Sequence, residues 1–99
     1  MYFVITALDY ENQLEKRLAN RETHLVELKA AIKKGLIISA GAITNDNGDM
    51  IGSSIHANFE SRDELDQWLA NEPYARNGVW ESVDIRTINL VDTESIKAN

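Results

Sequence analysis

The sequence predicts a small α+β domain whose elements follow the order β-α-β-β-α-β. Three patterns indicate this order: apolar, β-branched runs at the start, middle and end of the chain, a long helical repeat of leucines, and a second helix that begins at a serine. The chain has 99 residues, which is close to the common size of one domain. We therefore expect a single hydrophobic core.

The first half of the chain is predicted to form a strand, a long helix and a second strand. Residues 1–8 are almost continuously apolar, as in a strand that is covered on both faces. Leucines then recur at helical spacing and Gly35 follows a basic last turn, so we expect a helix over residues 11–34. The short apolar run of residues 36–42 predicts strand two. The helical stripe consists of Leu14, Leu18, Leu25, Leu28 and Ile32.

A polar loop, a third strand and a second helix are expected next. Residues 44–49 are polar and indicate a loop or hairpin turn, and the alternation over residues 51–59 predicts strand three. Ser61 and Glu64 form a capping box, in which each side chain bonds a free backbone amide at the start of a helix. Helix two is therefore predicted to begin at this serine.

The last part of the chain returns to the sheet. Pro73 ends helix two because proline lacks the amide hydrogen, and residues 74–77 are predicted to form a short turn or helical fragment. The alternation over residues 79–90 predicts the final strand. We assign residues 1–90 to the domain and expect residues 91–99 to form a loose C-terminal tail.

This order of elements is the split βαβ arrangement of the ferredoxin-like fold, an antiparallel sheet with both helices on one face. The other sheet face is too apolar to stay fully wetted, so we expect a second copy of the chain to cover it in a homodimer, sheet against sheet. The residues predicted on that face include Tyr2, Val4, Thr6, Leu8, Ile37, Ser54, His56 and Trp80.

The composition argues against several partners and chemistries. A formal net charge of -6 opposes binding to nucleic acid and to anionic membranes, and no apolar stretch approaches the roughly 20 residues that cross a bilayer. The chain has no cysteine, which excludes thiolate nucleophiles and cysteine metal sites and fits a cytoplasmic location. No phosphate-binding glycine motif is present, and we predict neither a metal nor a cofactor.

The residues most suggestive of chemistry lie on helix one. Arg17, Arg21 and His24 are spaced by three or four, so they share one stripe beside the leucines. Together they form a cationic strip that can hold a carboxylate or an enolate-like anion, so the expected ligand is a small anion. The alternative is that the arginines pair with surface glutamates and that His24 is structural.

A catalytic histidine needs an orienting carboxylate, and Asp9 and Glu72 are the candidates. At about 1.5 Å of rise per residue, His24 lies roughly 20 Å from the start of helix one, where Asp9 remains. We expect strands one and three to run parallel, so that helix two begins at the same end and carries Glu72 about 15 Å along the sheet. We therefore predict that Glu72 pairs with His24. The alternative is a helix-end carboxylate that merely precedes Pro73.

Three further residues are predicted to contact a substrate. Tyr74 can line a pocket next to the carboxylate, Ser54 lies on strand three, and Asp9 is retained as a secondary candidate. A serine nucleophile is not expected, because strand three lacks a glycine-flanked elbow. His56 is predicted on the opposite sheet face from His24, which opposes a two-histidine metal site.

A series of short motifs runs through nearly the whole chain. The first half contains Leu14-Glu15-Lys16-Arg17-Leu18, Arg21, His24-Leu25, Gly35 and Ala40-Gly41. The second half contains Gly52-Ser53-Ser54, Phe59-Glu60-Ser61, Trp68, Pro73-Tyr74 and Gly78-Val79. Taken in order, these motifs resemble the YciI-like (YCII-related) family over about residues 1–90. The resemblance implies the ferredoxin-like fold of the dimeric α/β barrels and a histidine-aspartate pair for which enzymatic activity has been suggested.

The resemblance also assigns positions. His24 matches the family histidine, and Glu72 stands where many members have an aspartate, one methylene shorter, before the proline-aromatic pair. Asp9 matches an acidic position of close relatives. Ala42 stands where close relatives tend to have proline, so the rim of the pocket is expected to differ.

Three functions are compatible with these features. The first is a cofactor-independent enzyme in which His24, oriented by Glu72, moves a proton on a small anionic or enolisable substrate while Arg17 or Arg21 holds its anion. The second is a non-catalytic small-molecule binder or accessory homodimer with a structural His-Glu pair. The third is a stress or regulatory protein whose acidic surface binds a protein partner.

Overall fold

The computed structural model describes residues 1–98 and has the α+β, ferredoxin-like fold that the sequence predicts. Two short helices accompany the two long ones. The elements are β1 (Tyr2–Asp9), α1 (Leu14–Lys33), β2 (Ile37–Thr44), β3 (Met50–Asn58), α2 (Arg62–Asn71), α3 (Pro73–Arg76), β4 (Trp80–Thr87) and α4 (Thr93–Ala98).

The four strands form one antiparallel sheet in the order β2-β3-β1-β4. In the central strand β1, Ile5 lies opposite Ile55 of β3 and Ile85 of β4. The expectation that strands one and three run parallel is wrong, because β1 and β3 pair antiparallel. Helices α1 and α2 therefore start at opposite ends of the sheet, since each begins after the strand that precedes it.

Local sequence signals explain where the two long helices begin. α1 starts later than predicted because Asn12 has a φ of 59°, in the left-handed region, so residues 11–12 form a turn. α2 starts as predicted: the Ser61 hydroxyl accepts a hydrogen bond from the Glu64 amide at 3.2 Å. Both helix starts are thus decided within a few residues of the chain.

The hydrophobic core lies between the sheet and the helices. Phe3 and Ile5 of β1 and Ile55 of β3 pack in one buried cluster with Leu65 of α2. The contribution of α1 is different, because its buried residues are Arg17, His24 and Ala31, spaced two turns apart. The leucine stripe lies on the flank of α1, where Leu18 and Ile32 are 50% and 46% exposed.

Two of the residues predicted on the uncovered sheet face, Ile37 and Trp80, lie on the buried face because the strand register shifts. The β1–β4 pairing skips Glu81, which places Trp80 opposite Asp9 on the helix-covered face, where it is 6% exposed. The β2–β3 pairing likewise shifts after Ile37, which is 2% exposed and belongs to the core. The remaining predicted residues are exposed or half-buried, and they are Tyr2, Val4, Thr6, Leu8, Ser54 and His56.

The C-terminal segment differs from the predicted loose tail. Residues Thr93–Ala98 form helix α4, and the Asp92 carboxylate accepts a hydrogen bond from the amide of Ser95 at 3.1 Å. Every residue of α4 is exposed, so this helix lies outside the core. Residue 99 lies outside the described part of the chain.

Candidate active site

Several elements bring the candidate residues together beneath α1. Arg17 and His24 point from α1 toward the sheet and are only 2% and 7% exposed. β1 ends in Asp9, β3 supplies Ser53, and the junction of α2 with α3 supplies Glu72. Buried polar side chains persist only where hydrogen bonds replace those lost to water, so the partners of these residues define the site.

His24 and Glu72 form a buried hydrogen-bonded pair. The imidazole Nδ1 contacts the Glu72 Oε1 atom, and the Glu72 side chain is only 1% exposed. In the tautomer that donates from Nδ1 to a carboxylate, Nε2 carries the lone pair. Nε2 has no hydrogen-bond partner in residues 1–98, and His24 lines a cavity. The second ring nitrogen of His24 is thus not occupied by a protein group of the described residues.

Glu72 is held in place by the start of helix α3. Its Oε2 atom accepts hydrogen bonds from the amides of Tyr74 at 2.6 Å and Ala75 at 3.4 Å, so Glu72 is the N-cap of this short helix. Pro73 occupies the first helical position, and the residue before a proline is extended, as the Glu72 ψ of 130° shows. The local sequence therefore aims the carboxylate at α1.

The antiparallel sheet explains why His24 meets Glu72. α1 and α2 start at opposite ends of the sheet, and the pair lies about ten residues into each helix, or about 15 Å at the helical rise. The predicted pairing is therefore present, although it arises from opposed helices and not from the predicted parallel strands. Whether the two residues act as a catalytic pair stays a prediction.

Arg17 connects the site to the sheet. Its Nη1 atom donates to both carboxylate oxygens of Asp9, at 2.8 and 3.0 Å, and its Nη2 atom donates to the Ser53 hydroxyl at 2.7 Å. The guanidinium also lies 4.5 Å from the centroid of the Tyr74 ring, a cation–π contact. Its Nε atom is buried and has no partner among the described residues. Arg17 is thus almost fully engaged by protein groups.

The Tyr74 ring lies against two side chains of α1, Arg17 and His24. The ring is nearly parallel to the His24 imidazole, with an interplanar angle of 14° and centroids 4.0 Å apart, and it meets Trp80 edge-on at 5.9 Å. Burial raises the pKa of the Tyr74 phenol above its ordinary value, and the Arg17 charge opposes that rise only in part. Tyr74 therefore remains a neutral hydrogen-bond donor at neutral pH.

A cavity of about 200 Å³ lies beside this cluster, between α1 and the strands β2 and β3. Arg17, Arg21, His24, Ser53 and Tyr74 supply its polar wall. The remaining wall is apolar or small, and it consists of Leu25, Leu28, Ala40, Gly41, Ala42, Met50 and Ile55. A space of this size is smaller than the range typical of drug-sized ligands, so it suits a small molecule.

Two predicted site residues lie elsewhere. Ser54 is exposed on the opposite sheet face, whereas its neighbour Ser53 is buried and lines the cavity. Ser53 shares the face of Ile55 in the alternation of β3, so strand periodicity is the signal that points to it. Asp9 lines a separate cavity of about 530 Å³ at the start of α1 and reaches the site only through Arg17.

The environment of Asp9 is unusual for an ion-paired carboxylate. Burial raises the pKa of Asp9 above its ordinary value, and the hydrogen bond and charge of Arg17 lower it by less. The side chain is 5% exposed. Asp9 is therefore a carboxylate whose ionised form depends on one arginine.

Residues 1–98 contain no group of three or more histidine, aspartate or glutamate side chains placed to hold a metal ion. The same part of the chain contains no helix that is both long and apolar enough to span a membrane.

Fold and site together define a class of α+β protein that carries a buried histidine-carboxylate pair beside a small cavity. The chain belongs to the family of the YCII-related domain, whose family model matches residues 1–89. It is 38% identical to a Haemophilus influenzae protein described as uncharacterized and 35% identical to Protein YciI of Escherichia coli O6:H1. Each alignment covers 92% of this chain and 99% of the relative.

Solved structures extend the comparison. The chain is similar, with a TM-score of 0.83 and 26% identity, to 5-chloro-2-hydroxyhydroquinone dehydrochlorinase (TftG) from Burkholderia phenoliruptrix AC1100, in complex with 2,5-dihydroxybenzoquinone. That match covers 94% of this chain and 98% of the other. An antibiotic biosynthesis monooxygenase shares the fold alone, with a TM-score of 0.54 and 14% identity over 92% of this chain and 99% of the other.

Proposed function

We propose that this chain is a cofactor-independent enzyme in which His24 and Glu72 transfer a proton on a small anionic or enolisable substrate. One observation carries the proposal: Glu72 holds the imidazole by Nδ1, and the free Nε2 belongs to a residue that lines the cavity. A carboxylate that fixes the tautomer and orientation of a histidine is a recurring arrangement in general acid–base catalysis. The same pair is poorly explained by surface electrostatics, because both side chains are buried.

The proposed proton transfer uses this geometry. Nε2 takes a proton from a substrate carbon or hydroxyl group, and the imidazolium that forms is stabilised by the Glu72 carboxylate. The electron pair left on the substrate spreads onto an oxygen, as in an enolate. Arg21 and the neutral Tyr74 phenol lie in the same wall and supply positive charge or a hydrogen bond for that oxygen, while Arg17 is ion-paired with Asp9. The protonated imidazole then returns the proton to the substrate.

The solved relative supports a cyclic substrate. TftG is a dehydrochlorinase of a hydroxyhydroquinone, and 2,5-dihydroxybenzoquinone is a six-membered ring with acidic enol groups. A cavity of about 200 Å³ is large enough for one ring of that size. We therefore propose a hydroxylated or enolised ring as the substrate class.

We also propose that the protein acts as a homodimer. The sheet face opposite the helices exposes Tyr2 and Leu8, each 44% exposed, together with half-buried Val4. A second copy that packs its sheet against this face would remove that apolar surface from water. Sedimentation of the protein and of a Val4→Glu variant tests this, and a wild type that sediments as a monomer contradicts it.

A second candidate function has its own supporting observation. Glu72 caps α3 with the oxygen that does not bind His24, and His24 stacks on Tyr74, so the pair also joins α1 to α3. In this alternative the protein binds a small molecule without transforming it. The His24–Glu72 contact is then purely structural.

Proton exchange distinguishes the two functions, because it reports a general base whatever the overall reaction is. The probe is 2,5-dihydroxybenzoquinone in D₂O, and NMR measures the loss of its ring C–H signal. We expect the wild type to accelerate this exchange and His24→Gln to lower the acceleration by roughly 100- to 10,000-fold, the usual contribution of a general base. His56→Gln is the matched control, because His56 lies on the opposite sheet face.

Circular dichroism and thermal unfolding accompany the exchange measurement. A folded His24→Gln variant that exchanges as fast as the wild type would refute the enzyme proposal. A His24→Gln variant that loses the fold, together with a folded Glu72→Gln variant of unchanged exchange rate, would support the structural role instead.

A further inference from the structure

The two arginines of the cavity have different electrostatic partners. Arg17 and Arg21 lie one helical turn apart on α1 and both line the cavity. Arg17 is buried and ion-paired with Asp9, whereas Arg21 is exposed. Because a free cation and a neutralised one differ in their attraction for an anion, the two residues have separate roles.

The guanidinium of Arg17 is already bound by other protein groups. Its two terminal nitrogens donate to Asp9 and to Ser53, and its charge is balanced by the Asp9 carboxylate. Moving the guanidinium onto an anionic ligand would leave the Asp9 carboxylate buried without a partner, which is strongly unfavourable. The cation–π contact with Tyr74 instead makes Arg17 a support for the ring that stacks on His24.

Arg21 is available. It makes no hydrogen bond and no ion pair with any residue from 1 to 98, although it lines the same cavity as His24. The two carboxylates that belong to the cluster do not pair with Arg21, since Asp9 is bound to Arg17 and Glu72 to His24. Arg21 is therefore a cation without an ion-pair partner among residues 1–98, although the formal net charge of the chain is -6.

We propose that Arg21 is the residue that selects an anionic ligand, that the ligand is a small ring carrying one ionised hydroxyl or carboxylate group, and that Arg17 is a positioning residue. One uncompensated cation matches one negative charge, and a planar guanidinium binds a carboxylate through two parallel hydrogen bonds. This inference rests on the binding cavity of the proposed function, but it does not require proton transfer.

Benzoate and benzamide test the inference, because they share a ring and a planar substituent and differ in charge. Isothermal titration calorimetry measures the affinity of each for the wild type, Arg21→Gln, Arg21→Lys and the control Arg76→Gln, whose exposed arginine lies outside the cavity. We expect the wild type to prefer benzoate and Arg21→Gln to weaken benzoate binding roughly 10- to 100-fold, with benzamide unaffected. Arg21→Lys should retain part of the preference.

Arg17 is tested with Arg17→Met, which keeps the apolar stem and removes the charge. We expect a folded Arg17→Met to retain the preference for benzoate and to shift the phenol titration of Tyr74 upward, because the Arg17 charge opposes the raised pKa of that group. A titration shift of this kind would not follow from a purely packing role.

Three results would overturn the inference: a wild type with no preference for benzoate at millimolar concentrations, an Arg21→Gln variant that keeps the preference, or a folded Arg17→Met variant that loses it. The enzyme proposal fails separately. If His24→Gln leaves proton exchange unchanged while Arg21→Gln abolishes the preference for benzoate, the anion site stands and catalysis by His24 does not.

Discussion

Glu72 binds His24 with one carboxylate oxygen and caps helix α3 with the other. A single buried side chain thus fixes both the orientation of the imidazole and the start of the helix that carries Tyr74. Substitutions of Glu72 should therefore affect the stability of the fold and the geometry of the candidate site together.

Glu72→Gln and Glu72→Ala should separate these two effects. Glutamine keeps an amide oxygen for the cap, so we expect a loss of about 1 kcal/mol in the free energy of unfolding. Alanine removes the cap and leaves buried polar atoms of His24 and the α3 amides without partners, and the loss should reach about 3 kcal/mol. Urea unfolding monitored by circular dichroism measures both. Equal losses for the two variants would contradict the dual role.

The stability of the protein should depend on pH through Asp9. Its pKa is raised in the folded state above the ordinary value of 3.8, so the folded state binds the proton more tightly than the unfolded chain does. The resulting stabilisation is fully present below pH 3.8 and is lost as the pH rises through the higher, folded-state pKa. Relative to Asp9→Asn, the wild type should therefore lose stability as the pH increases through this window.

Urea unfolding of both proteins at a series of pH values measures this difference. Asp9→Asn is the appropriate reference because asparagine is similar in size and does not ionise. A wild type that gains stability relative to Asp9→Asn across the same pH range would show that the Arg17 charge outweighs the burial of Asp9.

Tyr74 should ionise at unusually high pH. Burial raises its pKa above the ordinary value of 10.0, and the neighbouring Glu72 and Asp9 charges contribute to the rise. Near-ultraviolet absorbance of the phenolate should therefore show a titration step above pH 10.0, and Tyr74→Phe should remove that step. If the step persists in Tyr74→Phe, it belongs to another of the three tyrosines.

Gly52 should be required by the packing of β3 against β1. A Cβ atom at this position would lie 2.5 Å from the Ala7 carbonyl oxygen, which is backbone and cannot move aside as a side chain does. We expect Gly52→Ala to reduce the free energy of unfolding by about 1–3 kcal/mol, as overpacking does. Gly41→Ala is the matched control, since a Cβ there meets nothing within 4 Å. Similar stabilities for the two variants would contradict the predicted clash.

Some features of the candidate site can be predicted from the sequence. The spacing of Arg17, Arg21 and His24 puts them on one helical stripe, and the structure places all three on one cavity wall. The sequence also predicts the pairing of His24 with Glu72, although by way of parallel strands. The antiparallel pairing of β1 with β3 gives the same meeting point because α2 approaches from the other end of the sheet.

Other features depend on contacts between distant segments. The leucine stripe of α1 is the more hydrophobic one, yet the buried face is the one with Arg17 and His24. Hydrogen bonds with Asp9, Ser53 and Glu72 make that burial possible, and periodicity alone does not reveal them. The bulge that turns Trp80 into the core likewise appears only in the pairing of β1 with β4.

The sequence by itself determined the order of the four strands and the two long helices, the Ser61 cap and the spacing of the α1 stripe, because these depend on residues that are close along the chain. The tertiary structure decided which face of α1 is buried, that Ser53 and not Ser54 lines the cavity, and that Asp9 neutralises Arg17 while Arg21 stays free of ion pairs within residues 1–98. Those outcomes depend on strand register and on hydrogen bonds between segments far apart in sequence, which local propensity does not specify.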